Sequence, residues 1–200
     1  MTARLLIVGP QGSGKGTQGV IVASAFGVPQ VATGDIFRAN VAGGTELGKR
    51  VQAIIEAGDL VPDELTSELV RDRLAQSDAA EGFLLDGYPR NLGQVADLDA
   101  FLDGRGESLD AVIELEVPRD ESIARISRRA IEQGRTDDTE EVIANRLSIY
   151  ERETAPILDG YRARGLVLAV DGVGTLDEVT ERIFAGLATR GLRPRRSGAA

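Results

Sequence analysis

Gly9-Pro10-Gln11-Gly12-Ser13-Gly14-Lys15-Gly16-Thr17 (GPQGSGKGT) follows directly on the apolar run Leu5-Leu6-Ile7-Val8. The stretch fits G-x-x-x-x-G-K-[ST], except that Gly16 stands where Ser or Thr would and Thr17 comes one place later. Gly9, Gly12 and Gly14 let the backbone turn so that successive N–H groups face inward, an anion cradle at a helix N-terminus. Lys15 is then in reach of the β- and γ-phosphates of a nucleotide, and Thr17 or Ser13 offers a hydroxyl to phosphate or metal. The plainer reading is a glycine-rich turn with a solvated lysine. The position of the stretch, after a strand and before a helix, argues against it.

At 200 residues the chain fits one domain with a sizeable core. Cysteine and histidine are both absent. Disulfides, thiol nucleophiles, imidazole bases and the common zinc sites are thereby excluded, which leaves carboxylates, Lys, Arg, hydroxyls, backbone amides and an oxygen-ligated metal such as Mg²⁺. No apolar run approaches the roughly 20 residues needed to cross a bilayer, and the start Met1-Thr2-Ala3-Arg4 has no signal-peptide layout. A cytoplasmic protein without a membrane partner is expected. The net charge of -9 argues against a nucleic-acid partner, since the phosphate backbone rewards a basic face. A small anionic ligand needs only a local cluster of arginines.

Short apolar runs at Arg4 to Val8, Gln30 to Ala32, Phe83 to Leu85, Ala111 to Val117 and Leu166 to Val170 are each followed by turn residues and a helical pattern. Continuous apolar strands of this kind are buried on both faces, so a three-layer α/β protein is predicted. Asp138-Thr139-Glu140-Glu141 and Thr175-Leu176-Asp177-Glu178 have capping-box spacing, Pro62 and Pro118 suit a first helical turn, and Gly27, Gly58 and Gly165 sit where C-caps are expected. The tail 191–200, with Arg193, Arg195 and Arg196, reads as disordered.

A phosphate cradle alone names no reaction. The motifs that follow it do: TGDIFR from Thr33, ELGK, GDLVPDEL, GFLLDGYPR ending at Arg90, GRTDD and NRLSIYERETAPI occur in that order. With GPQGSGKGT they make the chain resemble the adenylate kinases of the nucleoside monophosphate kinase family, from about residue 4 to 185. The resemblance implies a P-loop αβα fold with a five-stranded parallel sheet. It implies a core of residues 1–32, 62–128 and 136–190, a helical monophosphate-binding segment at 33–61, and a lid at 129–135 that is short because only 130–134 separate Arg129 from Arg135. It further implies reversible phosphoryl transfer from Mg²⁺·ATP to AMP giving two ADP, in a protein that is a monomer.

Site residues follow from the same resemblance. ATP would be held by Gly12, Ser13, Gly14, Lys15, Gly16 and Thr17, with Arg125 on its adenine, Arg129 on the triphosphate and Gly174 offering backbone atoms. AMP would meet Thr33, Arg38, the backbone of Asp59, Leu60 and Val61, then Gly87, Tyr88, Pro89, Arg90 and Gln94. Arg135 and Arg146 would clamp the phosphates around the transferred group, with Lys15, Arg90 and Arg129 completing the catalytic set. Asp86 would hold Mg²⁺ through water; without cysteine or histidine the chain cannot carry the zinc found in some long lids. The residue types suit these tasks: paired arginines fork onto phosphate, and a carboxamide offers the donor and acceptor that read an adenine edge. Thr33 and Gln94 follow the adenylate pattern, where pyrimidine kinases of the family usually carry a small residue and an asparagine. Two alternatives stay open: a UMP/CMP or other nucleoside monophosphate kinase, and a nucleotide-dependent switch, because Asp171-Gly172-Val173-Gly174 spells DxxG.

Overall fold

The computed structural model describes residues 3–133 and 139–195. Five strands, β1 (Ala3–Val8), β2 (Gln30–Ala32), β3 (Gly82–Asp86), β4 (Ala111–Glu116) and β5 (Val167–Asp171), form one parallel sheet in the order β2-β3-β1-β4-β5. All five predicted runs are strands, displaced by at most one or two residues at their ends. β1 shows why such runs are continuous rather than alternating. Leu5 and Ile7 face one apolar layer and Leu6 and Val8 the other, so both faces demand apolar side chains.

The first layer is closed by α1 (Lys15–Phe26) and α9 (Leu176–Thr189), which bring Val22, Phe26, Ile183 and Leu187 onto Leu5, Ile7 and Ile113. The second is closed by α4 (Asp63–Leu74), α5 (Leu92–Asp103) and α8 (Ile157–Ala163), whose Val70, Leu74, Leu98, Leu102 and Ile157 cover Leu6, Leu85 and Val112. Among the described residues no helix is long and apolar enough to cross a membrane.

The segment 33–61 is α2 (Thr33–Ala42) and α3 (Glu46–Ala57), a helical pair with its own small core of Phe37, Val51 and Val61. The stretch 129–135, expected to be a short lid, begins near the end of α6 (Arg119–Gln133); Arg135, Asp137 and Asp138 lie outside the described residues. The next helix, α7 (Glu140–Ile149), is capped by Thr139, whose Oγ1 accepts from Val142 N. It runs on into a π-helical turn at Tyr150–Thr154. At Thr175 the expected capping box is complete, with Glu178 reaching back to the Thr175 N–H at 2.8 Å.

The tail expected to be disordered from Gly191 is ordered at its start. Gly191 takes a left-handed φ of 77°, and the N–H of Leu192 returns to Leu187 O at 3.1 Å. This Schellman stop carries its apolar partner with it: Leu192 is buried in the α1/α9 layer, and Arg195 N–H donates to Ala25 O. Residues 196–200 lie outside the described residues.

Candidate functional site

In the sheet β1 lies between β3 and β4; the connection leaving β1 runs toward β2 over one face and the one leaving β3 runs toward β4 over the other, so β1 and β3 flank a switch point. Crevices at the carboxyl ends of such strands are where open α/β sheets bind ligands. Out of β1 comes the GPQGSGKGT loop, with φ of 81° at Gly12 and 90° at Gly14. Both values are strained for any residue with a side chain. A Cβ on Gly12 would stand 2.5 Å from Ser122 O, whereas around Gly14, the N-cap of α1, there is open space. No side chain caps α1 and its first turn carries no acidic residue, so its leading N–H groups point into the cleft with their partial positive charge uncompensated.

Lys15 curls over the loop, and its Nζ donates to Pro10 O at 3.2 Å. Desolvation pushes its ammonium from 10.5 down to about 8; Asp86 pulls it up, and Arg90, Arg129 and Arg38 push it down. In the free protein the folded form sheds this proton before the unfolded chain does, so the lysine's contribution to stability rises with pH between about 8 and 10.5. A polyphosphate beside Nζ restores the charge. Nucleotide binding at pH 8 is therefore expected to take up about half a proton, and affinity to fall as pH rises beyond it. Calorimetric titration in buffers of different ionisation enthalpy reads this directly. Lys15→Met should abolish the uptake, and a parent protein showing no buffer dependence would contradict the expectation.

Asp86 ends β3 beside this loop, and the Cβ position of Gly16 lies 3.6 Å from its Oδ2. Burial raises its carboxyl above the usual range, while Lys15 and Arg90 oppose that shift. Arg90 is drawn down by burial and held up chiefly by Asp86. Its Nε donates to Gly87 O at 2.7 Å, and its own carbonyl accepts from Thr154 Oγ1 at 2.8 Å. Gly87, at φ 81°, leaves the room this demands, since a Cβ there would meet Thr33 Oγ1 and Arg90 Nη2, each at 2.9 Å.

Two lobes meet at Gly87 and Arg90. One is lined by Gly12, Gly14, Lys15, Gly16, Thr17, Asp86, Arg125, Arg129 and Leu176. The other is lined by Thr33, Arg38, Asp59, Leu60, Val61, Gln94 and Arg146. Gly87, Arg90 and Arg38 line both. Pro89 lines a further hollow that shares Gly87 and Arg90 with both lobes, together with Lys15 and Arg146. Within a chain of net charge -9, Lys15, Arg38, Arg90, Arg129 and Arg146 converge on one cleft.

Some sequence-predicted residues stand elsewhere. The Tyr88 ring is buried in the core, its hydroxyl bonded to Ser67 at 2.8 Å and to Asp97 at 3.2 Å, so it does not line either lobe. Ser13 is buried too. Its N–H donates to Pro10 O, and its hydroxyl is turned in under Gly9, leaving Thr17 as the hydroxyl at the cleft. Arg129 lines the cleft and its neighbour Arg128 is exposed. Arg125 is held at two points, Nε donating to Glu121 and Nη1 to Gly172 O at 3.1 Å. Leu176, rather than Gly174, reaches the lining. The DxxG stretch is a closed turn in which Asp171 Oδ1 accepts from Val173 N at 2.9 Å and Arg182 binds both Asp171 O and Val173 O.

Three contributors were not singled out from the sequence. Gln11 lines both lobes. Asn145 on α7 donates to Ala57 O at 3.0 Å and Asp59 Oδ1 at 2.8 Å, which ties α7 to the end of α3, and Arg146 Nη2 reaches Ile55 O at 3.2 Å. Asp63, within the quoted GDLVPDEL, bonds Gln94 and Asn91.

Comparison with known proteins agrees with this geometry. A family model described as adenylate kinase matches residues 7–166. The chain is 60% identical over 191 residues to an adenylate kinase of Clavibacter michiganensis subsp. michiganensis, covering 96% of each chain. It is 57% identical over 190 residues to one of Leifsonia xyli subsp. xyli, covering 95% of this chain and 96% of that one. It is 54% identical over 187 residues to one of Thermobifida fusca, covering 94% and 99%. With its five-stranded parallel sheet, glycine-rich phosphate loop and two-lobed basic cleft, the chain belongs to the adenylate kinase family.

Proposed function

We propose that the chain catalyses reversible, Mg²⁺-dependent transfer of the terminal phosphoryl group of ATP to AMP, giving two ADP, and that it serves adenine nucleotide balance as a cytoplasmic monomer. The observation that carries this reading is the pair of lobes sharing Arg90 and Gly87. One lobe has an anion cradle, the other a buried carboxamide, and the cations lie where the phosphates of two nucleotides would meet.

ATP occupies the Gly12-to-Thr17 loop with its adenine against Arg125, and AMP occupies the pocket of Thr33, Arg38 and Gln94. An AMP phosphate oxygen forms the new bond to the γ-phosphorus while the bond from that phosphorus to the β-bridging oxygen breaks, and ADP leaves. The attacking oxygen is already anionic, so no general base is needed and the lack of histidine costs nothing. The transition state is loose and spreads charge over the transferred group, so positioning and cationic stabilisation do most of the catalytic work. Lys15, Arg90, Arg129, Arg135 and Arg146 supply it. Closure of 33–61 over AMP and of 129–135 over ATP excludes water that would otherwise hydrolyse the phosphoryl group.

The donor set suits magnesium, a hard cation that keeps several waters and takes one or two carboxylates. Asp86, beside the loop, would hold it through water with Thr17 near, and when bound it neutralises phosphate charge. A coupled assay offering AMP, UMP, CMP and GMP side by side, with and without Mg²⁺, tests the proposal. Turnover is expected with AMP and Mg²⁺ only. Preferred use of UMP or CMP would favour the pyrimidine alternative, and tight GTP binding without ADP formation would favour a switch.

A further inference from the structure

Gln94 is 2% exposed, and its carboxamide is held from both ends. The Arg90 main-chain N–H donates to Oε1 at 2.8 Å, and Nε2 donates to Asp63 Oδ1 at 2.7 Å. A peptide N–H can only donate and a carboxylate can only accept, so neither partner tolerates the amide turned end for end. Asp63 is itself fixed. Asn91 Nδ2 donates to its two oxygens at 2.9 and 3.1 Å, and Asn91 Oδ1 caps the Gln94 N–H at 2.9 Å. Helix α4, which carries Asp63, is thereby joined to the start of α5, which carries Gln94.

We propose that Asp63 is a specificity-determining positioning residue: with the Arg90 N–H it locks the Gln94 carboxamide in one of its two orientations, so that the pocket accepts a 6-aminopurine monophosphate and rejects a 6-oxopurine one. The inference rests on the reading of this lobe as the monophosphate site. One N–H of Nε2 and one lone pair of Oε1 are left for a ligand. A 6-aminopurine edge offers a donor at the amino group and an acceptor at N1; a 6-oxopurine edge offers an acceptor at O6 and a donor at N1. A carboxamide free to turn over reads either edge equally well. Here the turned-over amide sets Nε2 against the Arg90 N–H and Oε1 against the Asp63 carboxylate, replacing two hydrogen bonds by two like-to-like contacts. The discrimination therefore lies in groups that need not touch the base, because a buried polar group left unpaired is costly.

The test compares kcat/KM for AMP and for IMP, the 6-oxopurine analogue that lacks a 2-amino group, at saturating Mg²⁺·ATP in the full chain. Asp63→Ala and Asp63→Leu, which both remove the acceptor facing Nε2, are each expected to raise the IMP:AMP ratio about tenfold, one lost hydrogen-bond preference, with the KM for ATP unmoved. Asp63→Leu is similar in size and leaves no acceptor facing Nε2, so it carries the test if truncation unfolds the protein. A purely structural role for Asp63 would weaken AMP and IMP in parallel, and an unchanged ratio in a folded variant overturns the lock. Gln94→Ala separates the two readings. If it too leaves the ratio unchanged, the base is not read in this lobe and the pocket assignment itself falls.

Discussion

Lys15→Met is expected to lower kcat for ADP formation by about a thousandfold, the scale on which a preorganised cation or donor at a transferring group acts. Stability should hardly change. The ammonium makes a bond to Pro10 O and is held partly desolvated, with its charge disfavoured by its surroundings, so an apolar side chain of similar length removes a burden as well as a contact. Steady-state kinetics paired with thermal unfolding reads both effects. Near-normal turnover in a folded variant would remove Lys15 from the catalytic set.

The other large effect is expected from Arg90→Ala, with kcat/KM for AMP falling by about a thousandfold or more. The substitution keeps the main-chain bonds to Gln94 and Thr154 and deletes only the guanidinium, so the base-reading geometry stays while the shared phosphate contact goes. It also strips Gly87 O of a partner and Asp86 of a counter-charge. The Asp86 carboxyl, already raised by burial, should climb further, and unfolding free energy should drop by about 1–3 kcal/mol. Arg90→Lys should recover little of the activity, since a point charge lacks the planar fork. A loss confined to the KM for ATP, with AMP use intact, would contradict the position of Arg90 between the two lobes.

Much of this architecture was legible in the sequence because its causes are local. Strands buried on both faces must be continuously apolar, as β1 is from Leu5 to Val8, and the left-handed turns at Gly12 and Gly14 require glycine. The convergence of arginines was legible only through the order of motifs, because no residue among Arg38, Arg90, Arg129 and Arg146 signals by itself that it turns inward. What escaped the sequence depends on contacts distant along the chain or on small local choices. Asp63 reads as a helix start, and nothing nearby announces Gln94, 31 residues on. Asn145 meets Asp59 across 86 residues. Tyr88 stands in a loop motif yet points into the core, since the ring finds apolar cover there and Ser67 and Asp97 satisfy its hydroxyl. The stretch from Gly191 reads as a disordered tail because the return of Leu192 to the core needs the folded layer to exist first.

The register of the two central strands has a consequence for how such a protein can diversify. Ile7 pairs with Asp86, so the roots of the phosphate loop and of the Asp86-to-Arg90 turn are neighbours in one hydrogen-bonded ladder. On the proposed reading the phosphoryl-transfer residues are rooted in this central ladder, whereas the acceptor is selected by side chains of α2, α3 and the start of α5, which form the rim of the second lobe. Substitutions on that rim can retune which monophosphate enters without disturbing the apparatus that moves the phosphoryl group. A lineage built on this plan explores new acceptors at little risk to its reaction.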